Sequence, residues 1–61
     1  MEKLSILIID DEESQLQSLK SFLTRRDYEV TTASNGEDGF DVLSSKFIDV
    51  VLTDYRMPNW D

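Results

Sequence analysis

Residues 4–11, Leu-Ser-Ile-Leu-Ile-Ile-Asp-Asp, decide the fold class of this chain. A short run of branched apolar residues is typical of a strand that is covered on both faces, as in a parallel sheet. The run ends abruptly at Asp10 and Asp11. A second strongly apolar run, residues 48–53, ends in the same way at Asp54. The two runs predict buried strands whose carboxyl ends carry acidic side chains.

The segment after the acidic pair predicts a helix and then a half-polar strand. Apolar residues recur at helical spacing along one face: Leu16, Leu19, Phe22 and Leu23. Arg25 and Arg26 fall in the last turn, where cations suit the negative end of the helix dipole. Residues 28–33 mix apolar and polar positions, which is typical of an edge strand.

A second helix is predicted from a capping-box pattern. Ser34 is the expected N-cap, and Glu37 follows three residues later. Phe40 and Leu43 lie on one face of this helix. Gly39 destabilises a helix interior by about 1 kcal/mol relative to Ala, and its small size is suited to close packing on the sheet.

The predicted order is strand, helix, strand, helix, strand, which defines an α/β fold. Strands separated by helices pair in parallel through right-handed crossovers. The half-polar strand belongs at an edge and the apolar first strand in the middle, so the expected spatial order is 2-1-3. Ligands in open α/β sheets bind outside the carboxyl ends of the strands, where the strand order reverses. We therefore expect Asp10, Asp11 and Asp54 to meet there.

The composition excludes several classes of function. Six Lys and Arg residues against 13 Asp and Glu residues give a net charge of −7, which disfavours binding to nucleic acids and anionic membranes. The sequence has no Cys and no His, so we expect neither disulfides nor His ligands. No apolar stretch approaches the roughly 20 residues that span a bilayer. Because no export signal is recognisable either, we expect a cytoplasmic protein.

Three carboxylates at one place repel one another unless they hold a proton or a cation. With oxygen ligands alone, the expected cation is hard, and Mg²⁺ fits best. A carboxylate beside Mg²⁺ can accept a phosphoryl group as a covalent nucleophile. The alternative is structural, because acids in a first helical turn stabilise it by about 0.3–1 kcal/mol each. For residues 10–13 considered alone, the structural interpretation and the metal-site interpretation both stay open. The position of Asp54 after the third strand favours the metal site.

The acidic pair and the later motif together resemble one known family. Residues 7–11 end in the acidic pair, and residues 50–58 place Met57-Pro58 shortly after Asp54. This combination, at this separation, resembles the receiver domain of two-component response regulators. The resemblance covers the whole chain and implies a flavodoxin-like fold. It also implies phosphoryl transfer to Asp54 from a histidine kinase or a phosphotransfer protein.

The same resemblance implies a Mg²⁺ site with assigned ligands. Asp11 and Asp54 would coordinate the ion through their side chains, and Arg56 through its backbone carbonyl. Asp10 would act mainly through a metal-bound water. Arg56, two residues after the phosphoacceptor, would also influence how long the phosphoryl group persists.

The resemblance also predicts which parts of the family's fold are missing. Receiver domains have five strands and five helices, whereas residues 1–61 supply three predicted strands and two helices. We interpret the chain as the N-terminal half of a receiver domain, without the strand-4 Ser or Thr and the strand-5 aromatic and Lys. We therefore expect impaired phosphorylation. The exposed third strand predicts homo-oligomers, formed by edge pairing or by exchange of segments.

Two other functions compete with this interpretation. A Mg²⁺-dependent phosphohydrolase with Asp54 as nucleophile usually carries another acid two residues later, where this chain has Arg56. We therefore expect no enzyme. The other candidate is a piece without chemistry that assembles through its third strand. Glycine occurs only at Gly36 and Gly39, so no Gly-rich phosphate-binding loop is predicted.

Overall fold

The computed structural model describes residues 3–53 of the chain. It contains five elements in the predicted order: β1 (Ser5–Ile9), α1 (Glu13–Arg25), β2 (Glu29–Ala33), α2 (Gly36–Ser45) and β3 (Val50–Thr53). The strands form one parallel sheet in the order β2-β1-β3. The predicted fold class and strand order are therefore confirmed.

β1 is the centre of the sheet, and all five of its residues are buried. Ile6 pairs with Val30 on one side and with Val50 on the other. Asp49 fixes the start of β3, because its N–H donates to the Ser5 carbonyl at 2.8 Å. Its carboxylate also accepts from the Ser5 N–H at 2.8 Å. These two bonds set the register before β3 begins.

Two small apolar clusters lie on opposite faces of the sheet, as side-chain alternation along β1 requires. On the α1 face the buried residues are Ile6, Ile8 and Leu16, with Leu23, Tyr28 and Val30 packed against them. On the α2 face the buried residues are Leu7, Ile9 and Ala33, with Val42 and Ile48 packed against them. Both clusters are built around β1.

Several apolar residues of the predicted helix faces are exposed. On α1, Leu16 is buried, whereas Leu19 and Phe22 are 38% and 52% exposed. On α2, Phe40 and Leu43 are 68% and 43% exposed. The face of α2 that meets the sheet carries Gly39 and Val42 instead. Both helices contact β1 and β2, and neither makes a close contact with β3.

The predicted N-cap of α2 was wrong by one residue. Asn35, not Ser34, is the N-cap, with extended backbone angles of −157° and 171°. Its side-chain oxygen accepts from the Asp38 N–H at 2.8 Å, and its Nδ2 donates to the Asp38 carboxylate at 3.2 Å. Two overlapping capping patterns occupy residues 34–38, and the Asn-Asp pair satisfies both a backbone and a side-chain group.

Gly39 lets α2 lie directly on the sheet. A Cβ atom at this position would be 2.5 Å from Ile9 Cδ1 and 3.0 Å from Ile9 Cγ1. The absence of that atom allows the helix backbone to approach the end of β1, next to Asp10.

No helix among residues 3–53 is both long and apolar enough to cross a membrane.

The two candidate N-caps are separable by substitution. We expect Asn35→Ala to lower the free energy of unfolding by about 1 kcal/mol, because it removes the acceptor for the Asp38 N–H. Ser34→Ala, which removes the N-cap predicted from sequence, should change it by less than about 0.5 kcal/mol. Urea unfolding followed by circular dichroism measures both values. A larger loss for Ser34→Ala than for Asn35→Ala would contradict this assignment.

Gly39→Ala tests the close approach of α2 to the sheet. Crowding against Ile9, where Cγ1 as well as the terminal Cδ1 is close, should destabilise the chain by about 1–3 kcal/mol, which the gain of about 1 kcal/mol in helix propensity offsets only in part. The net expectation is a lower urea midpoint. Gly36→Ala, in the first turn of the same helix, is the control for the propensity term. An unchanged or higher midpoint for Gly39→Ala would show that Ile9 moves aside without loss.

Candidate site at the carboxyl end of the sheet

Asp10 lies directly after the buried central strand and is itself only 3% exposed. Its N–H donates to the Ala33 carbonyl at 3.1 Å, which continues the β1–β2 pairing by one step. The side chain is therefore held by the sheet rather than by a loop. A buried acid that rigid strands position is a candidate functional group, since such a residue is rarely left there without a partner.

The two carboxylate oxygens of Asp10 have different surroundings. Oδ1 accepts from the Glu12 N–H at 2.9 Å, in a turn that leads into α1. Oδ2 is buried and has no hydrogen-bond partner among the described residues. An unpaired oxygen of this kind destabilises the fold unless a ligand or a proton satisfies it. The geometry thus fixes one oxygen and leaves the other available.

A pocket of about 170 Å³ opens next to Asp10. Its lining residues come from β1, α1 and β3: Ile8, Ile9, Asp10, Leu19, Leu52 and Thr53. Because the lining is mainly apolar, it offers few polar groups that could bond to the Asp10 carboxylate in place of a ligand. The pocket lies between the carboxyl ends of β1 and β3, where the strand order reverses.

The structure places two of the four predicted site residues. Asp10 and Asp11 both follow β1, but Asp11 is exposed and makes no hydrogen bond or ion pair with residues 3–53. Asp54 and Arg56, the predicted phosphoacceptor and the predicted carbonyl ligand, lie outside the described residues. Thr53, which precedes Asp54, pairs with Ile9, which precedes Asp10.

The donor chemistry fits a hard cation, as far as the described part of the chain reaches. Asp10 and Asp11 offer carboxylate oxygens, and the buried Oδ2 of Asp10 lacks a partner. Within residues 3–53, no three acidic side chains converge into a complete metal site. A site with three carboxylates would need one from outside this range, and Asp54 is the acid that follows β3 in the sequence.

Of the six residues that line the pocket, only Asp10 was predicted from sequence as part of the site. Leu19 and Leu52 line it together with Asp10, although the sequence pattern assigned both to the core. Their exposed fractions are 38% and 41%. The available signal was positional: Leu52 lies two residues before Asp54, and Leu19 lies in the predicted helix that begins beside Asp10.

Comparison with known proteins decides the family. The model of the family described as "Response regulator receiver domain" matches residues 6–61. The chain belongs to the response regulator receiver domain family. Phosphoryl acceptance in two-component systems is the general function of receiver domains, and they interact with histidine kinases or phosphotransfer proteins. Receiver domains also generally bind Mg²⁺.

Curated relatives agree with this assignment. The chain is 41% identical over 56 residues to "Sensor histidine kinase RcsC" of Escherichia coli (strain K12), which covers 92% of the chain and 6% of that protein. It is 42% identical over 60 residues to "Probable transcriptional regulator ycf27" of Pyropia yezoensis, covering 98% of the chain and 25% of that protein. The chain is also 35% identical over 57 residues to "Transcriptional regulatory protein AfsQ1" of Streptomyces coelicolor, covering 93% of the chain and 25% of that protein.

The chain thus spans a quarter or less of the length of these relatives. One of these relatives is named a sensor histidine kinase, and the others are named transcriptional regulators. No solved structure matches the chain significantly.

The unpaired Oδ2 of Asp10 has a measurable consequence for stability. In Mg²⁺-free buffer, Asp10→Asn should raise the free energy of unfolding by about 1 kcal/mol, because it removes a buried, unsatisfied charge and keeps the acceptor for Glu12. Asp11→Asn, on the exposed neighbour, should change it by less than about 0.5 kcal/mol. Urea titration measures both. A loss of stability in Asp10→Asn would show that the carboxylate already has a stabilising partner.

Proposed function

We propose that this receiver domain accepts a phosphoryl group on Asp54 from a phosphohistidine of a histidine kinase or phosphotransfer protein. The register of β1 and β3 carries the proposal. Ile9 and Thr53 are paired neighbours in the sheet, and the next residue in each strand direction is an aspartate. The proposal rests on this pairing, because consecutive Cα atoms are about 3.8 Å apart and each aspartate is therefore one such step from a paired residue.

The transfer exchanges one bond for another. The phosphorus–nitrogen bond of the donor phosphohistidine breaks as an oxygen of Asp54 bonds to phosphorus, and the imidazole retains the electron pair. The product is an acyl phosphate on Asp54. A carboxylate is an accepted covalent nucleophile for this chemistry.

We propose that Asp11 and Asp54 would hold Mg²⁺ through their side chains and Arg56 through its backbone carbonyl, and that Asp10 would act mainly through a metal-bound water. The chemistry that the bound ion supplies is neutralisation of charge on the phosphoryl oxygens. The support from this chain is the buried Asp10 oxygen without a partner, together with the exposed carboxylate of Asp11 one residue later. Asp10 uses its other oxygen to hold the start of α1 through Glu12.

We propose further that the chain is a phosphoacceptor and not an enzyme, because Arg56 stands where a phosphohydrolase with an aspartate nucleophile carries a second acid. A cytoplasmic location is part of the proposal and is supported by the absence of Cys from the sequence.

A second candidate is an assembly role without chemistry, through the outer edge of β3. The supporting observation is the exposure of its apolar residues: Val50, Val51 and Leu52 are 40%, 42% and 41% exposed. The two candidates differ in their dependence on the acidic site. Assembly that is insensitive to Mg²⁺ and to Asp54→Asn, in a chain that gains no phosphoryl group, would favour the second.

Asp54→Asn tests the proposed phosphoacceptor. Incubated with Mg²⁺ and a small phosphodonor, the wild-type chain should gain the mass of one phosphoryl group, and the variant should gain none, because an amide is not a nucleophile here. Intact-mass spectrometry gives the readout. Asp41→Asn, an exposed acid on α2, is the matched control and should behave as wild type.

Two further measurements separate the steps of the proposal. Trp60 is the single tryptophan, so its fluorescence reports binding of Mg²⁺ and of the phosphoryl analogue beryllofluoride. We expect saturable changes that weaken in Asp54→Asn. Steady release of inorganic phosphate from the phosphodonor, with many turnovers per chain, would instead support the phosphohydrolase. Phosphorylation of Asp54→Asn to the wild-type level would overturn the assignment of the acceptor.

A further inference from the structure

The side chains of β3 do not fix the register of this strand against β1. Its first three residues, Val50, Val51 and Leu52, are all apolar, and none of its four residues is charged. A slip of one residue turns every side chain of a strand to the opposite face, which an alternating apolar pattern resists. In β3 the slipped strand would again place apolar side chains on both faces of the sheet. The register must therefore be determined outside the strand itself.

Asp49, the residue before β3, supplies this determinant. Its N–H donates to the Ser5 carbonyl at 2.8 Å, and its carboxylate oxygen Oδ2 accepts from the Ser5 N–H at 2.8 Å. Asp49 thus bonds to both backbone groups of one residue of β1. This pair of bonds is compatible with a single register, because one strand step of about 3.3 Å carries donor and acceptor out of hydrogen-bonding distance.

The apolar contact next to Asp49 is less selective. Ile48 packs against the buried cluster on the α2 face of the sheet. Apolar contact is not directional, so it holds this segment on the sheet without choosing between neighbouring registers. Ser5, in contrast, is only 6% exposed, and a buried N–H without a partner destabilises a fold. Any register that removes the Asp49 carboxylate from Ser5 incurs this loss of stability.

The register observed in the sheet also aligns the two acidic positions. Pairing between β1 and β3 continues without interruption up to Ile9 and Thr53. The next residue along the chain is Asp10 after the first and Asp54 after the second. A slip of one residue would move the end of β3 by about 3.3 Å along the strand and turn its side chains to the opposite face. The alignment of the two aspartates therefore depends on the register.

We propose that Asp49 is a positioning residue for the phosphoacceptor. By holding Ser5, it selects the register of β3 in which the paired residues of the two strands are followed by Asp10 and Asp54. The inference rests on the proposed function of Asp54 and adds a residue at the other end of β3. Asp49 precedes Asp54 by five residues, which is on the order of 16 Å along an extended strand. A substitution at Asp49 therefore acts on the site through the strand.

Two substitutions of Asp49 separate its hydrogen bond from its charge. Asp49→Ala removes the acceptor for the Ser5 N–H. Asp49→Asn removes the negative charge and keeps a side-chain oxygen that can accept from the same N–H. Val30→Ala is the control for a general loss of stability, because Val30 lies in β2 and packs against the cluster on the α1 face.

The register is measured first, in buffer without Mg²⁺ or a phosphodonor. Nuclear Overhauser effects between backbone protons of β1 and β3 show which residues are neighbours. For the wild-type chain, Asp49→Asn and Val30→Ala, we expect a single set that matches Ile6 paired with Val50. In Asp49→Ala that set should weaken, and a second set, shifted along β3, should appear. Loss of a hydrogen bond to a charged acceptor reduces the preference for the native register by about tenfold or more.

Phosphoryl acceptance is then measured on the same four chains. With Mg²⁺ and a small phosphodonor, the initial rate of mass gain should fall at least about threefold in Asp49→Ala, since the rate scales with the fraction of chains in the competent register. Asp49→Asn should stay within about twofold of the wild-type rate, because it keeps that register. Val30→Ala should do the same once its unfolded fraction, known from urea titration, is taken into account.

The two measurements keep this inference apart from the proposed function. A wild-type chain that gains no phosphoryl group would contradict the proposed function, and the register of Asp49→Ala would still decide the role of Asp49. A fully retained register in Asp49→Ala would overturn the inference. An equal loss of rate in Asp49→Asn and Asp49→Ala would do so too, because charge would then be responsible. If Asp49→Ala does not fold, Asp49→Glu takes its place, since it keeps the charge and displaces the carboxylate by one methylene group.

Discussion

The pairing of β1 on both of its edges is the constraint on which the rest of this structure depends. β1 is buried along its whole length, and each of the two apolar clusters takes its central residues from it. A strand in this position has no exposed polar face, so its sequence is apolar until it reaches the end of the sheet. Asp10, the first polar residue after β1, therefore lies at the carboxyl end of the sheet and is almost completely buried.

That placement gives Asp10 a structural role and makes it a candidate functional residue. Oδ1 fixes the turn into α1 through the Glu12 N–H, so the carboxylate cannot rotate freely. Oδ2 is left unpaired, which lowers stability and at the same time presents a preorganised acceptor to a ligand. Buried polar atoms are normally hydrogen-bonded, and exceptions occur most often at functional sites. Within residues 3–53, Asp10 is the acidic residue that has a buried oxygen without a hydrogen-bond partner.

The sequence predicted the element order, the strand order and the position of the first two acids, because each follows from where apolar runs stop. It did not predict the N-cap, since Ser34 and Asn35 both satisfy capping rules and only the backbone angles decide between them. It also misplaced the inner face of α2, where Gly39 carries no apolar signal although it lies closest to Ile9. Asp54 and Arg56 lie outside the described residues, so their predicted roles rest on the family.

The exposed apolar residues follow from the same logic. Hydrophobic periodicity records which side chains are buried in the final assembly, and it does not state which chain or segment covers them. Phe22 and Phe40 fit a buried pattern, yet within residues 3–53 both are more than half exposed. Both helices make close backbone contacts with β2 and β1, and neither makes one with β3. The apolar pattern of the helices is therefore broader than the surface that packs on β1 and β2, and the proposed phosphoacceptor follows β3, the strand that neither helix contacts closely.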